Sequence, residues 1–160
     1  MSTYLFHPYT RFSAIENDKF PNIVKGSGIY LFDDNGKRYT DIISSWWACA
    51  LGHNHPKIVQ SIQDQTNILQ HSITGSMTHP NVLKLSERLA HLMPSPNRHC
   101  LFASDGSSSI EAALKISLQY WHNKGKIDKK WLVGIDQDYH GDSLGALGVG
   151  FVDSFHAPYK

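Results

Sequence analysis

The 160-residue chain shows little charge imbalance, few cysteines and no long apolar segment. Fifteen basic and fourteen acidic residues give a net charge of +1 without a run of one sign, which argues against nucleic acid or an anionic membrane as partner. The two cysteines, Cys49 and Cys100, form no CxxC pair, so free thiols are a simpler expectation than a disulfide. No segment approaches the ~20 apolar residues of a membrane span, and the start lacks a signal peptide's basic and apolar regions. We therefore expect a cytoplasmic, globular protein.

Ten histidines raise the question of a metal site. His53 and His55 form an H-x-H pair, but no Cys, Asp or Glu accompanies them at ligand spacing. We expect ordinary loop and surface histidines and no metal.

The apolar pattern predicts an α/β protein. Residues 1–20 are irregular and rich in aromatic side chains, as in an arm that docks on other structure. A β-hairpin is predicted at 29–43, with its Asn35-Gly36 pair supplying the positive φ angles of a tight turn. Helical periodicity and short apolar runs predict helices at 56–70, 80–93 and 109–124 and strands at 99–103, 131–135 and 146–149. Strand, turn, helix and strand in this order are typical of a parallel sheet.

A small-residue turn, Ser104 to Ser108, precedes the third predicted helix. The first backbone N–H groups of a helix lack internal partners and lie at the positive end of its dipole, so a phosphate can bind there. Gly106 permits close approach, and the hydroxyls of Ser107 and Ser108 can add hydrogen bonds. The alternative is a plain capped helix, because Ser108-x-x-Glu111 fits a capping box. The turn matches neither nucleotide-binding glycine fingerprint.

Two aromatic segments are further candidates. Tyr139-His140-Gly141-Asp142 follows the predicted strand 131–135, at the end where α/β sheets bind ligands, and Tyr139 could stack on a flat heterocycle. A polar loop with a packed tyrosine is the alternative. Trp46 and Trp47 are adjacent and on a strand would face opposite sides, so one needs a substrate, a subunit interface or other aromatic packing.

Together these segments resemble the class III aminotransferases, which are fold-type I enzymes that use pyridoxal phosphate. The resemblance runs along almost the whole chain. It is carried by the segments His7-Pro8-Tyr9-Thr10, Ser44-Ser45-Trp46-Trp47-Ala48, Gly52-His53-Asn54-His55-Pro56, Thr78-His79, Ser104 to Lys115, Gln119-Tyr120-Trp121 and Tyr139-His140-Gly141-Asp142. The first two segments are most similar to the class III aminotransferases of biotin synthesis. Those enzymes move an amino group from S-adenosylmethionine to 8-amino-7-oxononanoate and give 7,8-diaminononanoate.

The resemblance implies a role for each matched residue. Gly106 and Ser107 would bind the cofactor phosphate. Tyr139 would stack on the pyridine ring and face the substrate, with His140 beside it. The substrate pocket would be lined by Trp46 and Trp47, and Tyr9 would orient the substrate from the arm. The family also implies a homodimer with small-molecule substrates.

The family's Schiff-base lysine, its Asp on the pyridine nitrogen and its carboxylate-binding Arg cannot be placed in this chain. The resemblance implies a small-domain arm and hairpin at 1–55, and at 56–160 a helical connection with the first part of the cofactor-binding large domain. We expect a partial fold that stops inside the large domain, is inactive alone and is unstable or self-associating. The alternatives are a class III enzyme of other specificity, of the 4-aminobutyrate or ornithine type, and a non-catalytic fragment or assembly module.

Overall fold

The computed structural model describes residues 4–13, 20–95 and 98–159, and the chain divides into two compact units, residues 1–77 and 78–160. Parts of the predicted arm, at 1–3 and 14–19, lie outside the described residues, as do residues 96–97 and Lys160. The domain boundary predicted between residues 55 and 56 stays a prediction.

The first unit contains the predicted hairpin as part of a three-stranded antiparallel sheet. Its strands are β1 (Ile23–Ser27), β2 (Tyr30–Asp33) and β3 (Arg38–Thr40), in the order β1-β2-β3. The turn after β2 is closed by Asp33 Oδ1, which accepts the backbone N–H groups of Asn35 at 3.0 Å and Lys37 at 2.8 Å. Gly36 alone in this turn has a positive φ, +77°, so the positive φ predicted for Asn35 is wrong. The buried Asp33 carboxylate stabilises a wider loop instead.

The three long helices predicted from apolar periodicity are confirmed. They are α1 (Pro56–Thr66), α2 (Pro80–Leu92) and α3 (Gly106–Asn123). A proline in the first turn of α1 and of α2 fits the position where its missing N–H costs nothing. Helix α3 begins three residues before its predicted start, because Asp105 is the N-cap and its Oδ1 accepts the Ser108 N–H at 2.8 Å. The capping box predicted at Ser108 is therefore wrong.

The three strands predicted in the second unit are not formed. Residues 99–103 and 131–135 join no sheet, since a parallel strand gains its backbone hydrogen bonds only from neighbouring strands. The third predicted strand, 146–149, overlaps a short helix, α4 (Leu144–Leu147). The Leu147 N–H in this helix donates to Ser143 O at 2.9 Å. A second short helix, α5 (Asp153–His156), runs into a 3-10 turn at Ala157–Tyr159.

Few side chains are buried. Among the described residues, the buried apolar side chains are Ala146 and Leu147, both on α4, which packs on α3. The buried polar residues are Asp33 and His156. No helix in the described ranges has the length and apolar character that a membrane crossing requires.

Candidate active site

The segment Ser44–Trp47 in the first unit forms a left-handed turn. Its four residues have φ of 50°, 48°, 58° and 65° in chain order, and Trp47 N donates to Ile43 O at 2.9 Å. The alternation of Trp46 and Trp47 that a strand would impose therefore does not apply to this segment. Left-handed backbone costs an L-residue about 1–2 kcal/mol, and such strain is concentrated at functional sites.

Asp41 holds this turn in place. Its Oδ2 accepts the Ser45 hydroxyl at 2.8 Å and His53 Nε2 at 2.7 Å, and its side chain is 6% exposed. Hydrogen bonds from the Ser45 backbone N–H, the Ser45 hydroxyl and then His53 lower the pKa of Asp41 to about 2. The carboxylate is thus charged at neutral pH and ties the turn to His53.

The left-handed turn brings two predicted substrate residues together. The Tyr9 and Trp46 rings meet edge to face, with centroids 5.8 Å apart and planes at 71°. Tyr9, Trp46 and Trp47 are all exposed. Exposed aromatic faces of this kind suit a ligand with apolar surface.

In the second unit, Gly106 and Ser107 open α3. Apart from the two chain neighbours and the adjacent helix backbone, no heavy atom of the described residues lies within 4 Å of the position that a Cβ on Gly106 would take, so this end of the helix has room for a ligand. Ser107 Oγ accepts the Asp142 N–H at 3.0 Å, which leaves its own O–H to donate. This approach requires glycine at 141, because φ there is +114° and a Cβ would overlap Ser107 Oγ.

Asp105 brings a negative charge to the same helix end. Its carboxylate accepts both the backbone N–H and the hydroxyl of Ser108, each at 2.8 Å. The backbone hydrogen bond from Ser108 is the main cause that lowers the pKa of Asp105. The donors that suit a phosphate are therefore the Gly106 N–H and the Ser107 hydroxyl rather than the groups of Ser108.

Tyr139 is linked to the start of α3 through Asp142. Its hydroxyl donates to Asp142 Oδ2 at 2.7 Å, and the Asp142 N–H donates to Ser107. The Tyr139 ring is 55% exposed. The structure thus brings the predicted phosphate residue and the predicted stacking residue into one hydrogen-bonded group.

His140 lies on another side of this loop. Its Nε2 is 3.2 Å from Asp138 Oδ2, and its ring lies so close to Gly150 that a Cβ there would be 2.7 Å from His140 Cδ2. The structure places it with Asp138 and Gly150 rather than with Ser107, and its cofactor role stays a prediction.

Sequence reasoning missed the residues that hold the candidates in place. Asp142 entered the sequence analysis only as the last residue of the segment Tyr139-His140-Gly141-Asp142. His156, which contacts Asp142, lies 14 residues further along the chain. Asp41 and His53 are 12 residues apart and share no periodic pattern. The predicted substrate residues belong to the first unit and the predicted cofactor residues to the second.

Almost the whole chain is similar in sequence to curated aminotransferases. An adenosylmethionine-8-amino-7-oxononanoate aminotransferase from Aquifex aeolicus is 35% identical over 98% of this chain and 35% of its own length. One of the same name from Helicobacter pylori is 38% identical over 98% of this chain and 36% of its own length. The chain thus spans about a third of the length of these relatives.

Solved structures give the same picture. The enzyme of that name from Methanocaldococcus jannaschii has a TM-score of 0.92 at 29% identity, covering 98% of this chain and 36% of its own. A pyridoxal-phosphate-bound amine transaminase from an uncultivated Pseudomonas species has a TM-score of 0.87 at 29% identity. The match covers 99% of this chain and 36% of the transaminase chain. The prediction of a partial fold-type I architecture is therefore confirmed.

The family model described as aminotransferase class-III matches residues 12–157, which is most of the chain. The prediction of pyridoxal phosphate as cofactor is confirmed at the level of this family, whose similar structures include the cofactor-bound amine transaminase. On the match of sequence and fold together, the chain belongs to the class III aminotransferases.

Proposed function

We propose that this chain provides the phosphate site and substrate-facing residues of a pyridoxal-phosphate-dependent aminotransferase of biotin synthesis. The observation that carries the proposal is the connection from Ser107 through Asp142 to Tyr139 at the start of α3. This connection joins a hydrogen-bond donor for a phosphate to an exposed flat ring. A phosphorylated pyridine needs both features in its binding site.

The residues present fit the cofactor. Gly106 offers open space, and the Ser107 O–H is oriented by the bond that its oxygen accepts from Asp142. Tyr139 would cover one face of the pyridine ring, with its hydroxyl held by Asp142. When bound, pyridoxal phosphate supplies an electron sink for the substrate's reacting carbon, and the protein supplies orientation.

The proposed reaction moves an amino group from S-adenosylmethionine to 8-amino-7-oxononanoate and gives 7,8-diaminononanoate. The names of the relatives support these substrates. The edge-to-face pair of Tyr9 and Trp46, with Trp47 beside it, would form an apolar wall for the oxononanoate chain. We propose a cytoplasmic homodimer as the working form.

The Schiff-base lysine, the Asp for the pyridine nitrogen and the carboxylate-binding Arg are proposed to lie outside this chain. This fits the fact that the chain spans about a third of its relatives' length. The chain alone is then expected to bind the cofactor without turnover. If borohydride reduction attached pyridoxal phosphate stoichiometrically to one lysine of the chain, this expectation would be contradicted.

The phosphate site is tested with Ser107→Ala. Because a hydrogen bond to a charged group contributes about 1.5–3 kcal/mol, the variant is expected to bind pyridoxal phosphate at least about tenfold more weakly in an absorbance titration. Ser109→Ala, one turn into the same helix, is the matched control and should bind like the wild type, since its hydroxyl donates to Asp105 O. Equal affinities in all three proteins would refute the phosphate site.

The substrates are tested in a polypeptide that carries the chain together with the missing catalytic residues. Trp46→Ala is expected to raise the KM for 8-amino-7-oxononanoate at least about tenfold, since it removes a large apolar contact. Transamination of 4-aminobutyrate or ornithine but not of the oxononanoate would show a class III enzyme of other specificity.

A second candidate function is that of a non-catalytic fragment or assembly module. The many exposed large apolar side chains favour it, including those of Trp131, Val133 and Ile135. Binding of another polypeptide together with failure to bind pyridoxal phosphate would support this alternative.

A further inference from the structure

His156 is the most buried titratable residue among those described, and the proposed function gives it no role. It lies at the end of α5 with 2% of its surface exposed. Phe151 and Phe155 contact its ring, with centroids 5.6 and 6.2 Å away. A histidine enclosed in this way keeps one fixed ring orientation.

The hydrogen bonds of His156 define where its proton lies. The backbone N–H of Val152 donates to Nδ1 at 3.0 Å, so this nitrogen carries no proton. The ring proton is then on Nε2, which lies 3.3 Å from Asp142 Oδ1 and donates to it. His156 therefore connects Val152, the N-cap residue of α5, to the Asp142 carboxylate.

Asp142 transmits this connection to Tyr139. One carboxylate oxygen accepts from His156 and the other accepts the Tyr139 hydroxyl at 2.7 Å. The Tyr139 and His156 rings also stack, with centroids 6.0 Å apart and planes at 21°. The tyrosine is thus held both at its hydroxyl and against its ring, while 55% of it stays exposed.

We propose that His156 is a positioning residue that sets the Tyr139 ring parallel to an aromatic ligand. The ligand class is a phosphorylated heterocycle, and this part of the inference rests on the proposed function. The mechanism requires the Nε2–H bond to Asp142 and the stacked imidazole. Without these two contacts the Tyr139 side chain can rotate. Ligand binding then has to fix the ring, and the lost conformational entropy weakens the affinity.

Two variants separate the two contacts. His156→Phe keeps a flat ring but loses both hydrogen bonds, and His156→Gln keeps a donor towards Asp142 but loses the ring. His122→Phe, at an exposed position of α3, is the matched control. Thermal melting and circular dichroism of the full chain show whether each variant keeps the wild-type fold.

The first measurement is independent of the cofactor. In the full chain with 13C-labelled tyrosine, the Tyr139 ring resonances, assigned by Tyr139→Phe, are expected to shift and broaden in His156→Phe. They should shift less in His156→Gln and stay unchanged in His122→Phe. Tyr139 resonances that are unchanged in a folded His156→Phe variant would overturn the proposal whether or not pyridoxal phosphate binds.

The second measurement is the pyridoxal phosphate affinity in a double-mutant cycle. His156→Phe is expected to weaken binding about tenfold, but by less than about twofold when Tyr139 is already Phe. His156→Gln should recover part of the loss. An equal loss in both backgrounds would show that His156 acts only on overall stability and would overturn the positioning role. If the wild type binds inorganic phosphate but not pyridoxal phosphate, the proposed function fails, and the resonance measurement still decides the role of His156.

Discussion

Asp41 connects three parts of the first unit. It directly follows β3 and binds Ser45 in the left-handed turn and the His53 ring. The His53 backbone in turn exchanges hydrogen bonds with Gly28, at 3.0 and 2.7 Å. The Asp41 carboxylate thereby fixes the strained turn relative to the sheet.

This role predicts an acid-sensitive turn. The pKa of Asp41 is lowered from 3.8 to about 2, so its contribution to stability is complete above about pH 4 and is lost as the pH falls through 2. Tryptophan fluorescence during an acid titration should report this loss, since Trp46 and Trp47 belong to the turn. In Asp41→Asn the fluorescence is expected to differ from the wild type at neutral pH and to change less between pH 4 and 2.

Asp64→Asn changes an exposed carboxylate on α1 and serves as the control. It should keep the wild-type acid profile. A wild-type profile in Asp41→Asn would show that the carboxylate does not hold the turn.

At the residue scale, the sequence predicted the groups that are proposed to face a ligand but not those behind them. Gly106, Ser107 and Tyr139 stand in local motifs, and local chemistry suggests their use. Asp142 and His156 meet only because α5 folds back on the loop, and no spacing rule connects positions 14 residues apart. Long-range hydrogen bonds of this kind depend on the tertiary structure.

Among the described residues, the left-handed turn contains the longest run of L-residues with positive φ. Its four L-residues all have positive φ, and none of them is glycine. Nothing in Ser-Ser-Trp-Trp favours this conformation, so the sequence alone could not predict the turn. The tertiary contacts of Asp41 override the local preference.

Ser44→Gly is expected to stabilise the first unit by about 1 kcal/mol, because glycine adopts the left-handed conformation without the steric cost that an L-residue carries. Ser61→Gly, in the right-handed α1, should instead destabilise it by about 0.5–1 kcal/mol. Urea titrations of the two variants and the wild type measure both effects. A loss of stability in Ser44→Gly would mean that its backbone strain is not relieved.

At the element scale, the three long helices and the antiparallel hairpin were predictable from the sequence, and the parallel strands of the second unit were not. The apolar spacing of α1, α2 and α3 depends on the segment itself, and Pro or Asp near each start marks the boundary. The segments 99–103 and 131–135 have the apolar composition of strands but need adjacent strands to supply hydrogen bonds. Periodicity therefore predicts a helix more directly than a parallel strand.

At the scale of the whole molecule, the ratio of exposed to buried apolar surface is high for a folded protein. Trp131, Val133 and Ile135 are 85%, 97% and 75% exposed within one short segment. Large exposed apolar patches mark interaction surfaces or aggregation-prone sites. We therefore expect these exposed side chains to be covered by other polypeptide.

The final prediction is that the isolated chain self-associates at micromolar concentration. Burying one such side chain contributes about 1.5–3 kcal/mol, so Val133→Lys with Ile135→Lys should weaken association at least about tenfold. Gln119→Lys with His122→Lys adds lysines on exposed positions of α3 without removing apolar surface, and should have a smaller effect. Sedimentation velocity distinguishes these cases, and ammonium sulfate should strengthen the association because it favours apolar burial. A monodisperse 18.0 kDa species that unfolds cooperatively would contradict the prediction, since it would show that the exposed side chains need no partner.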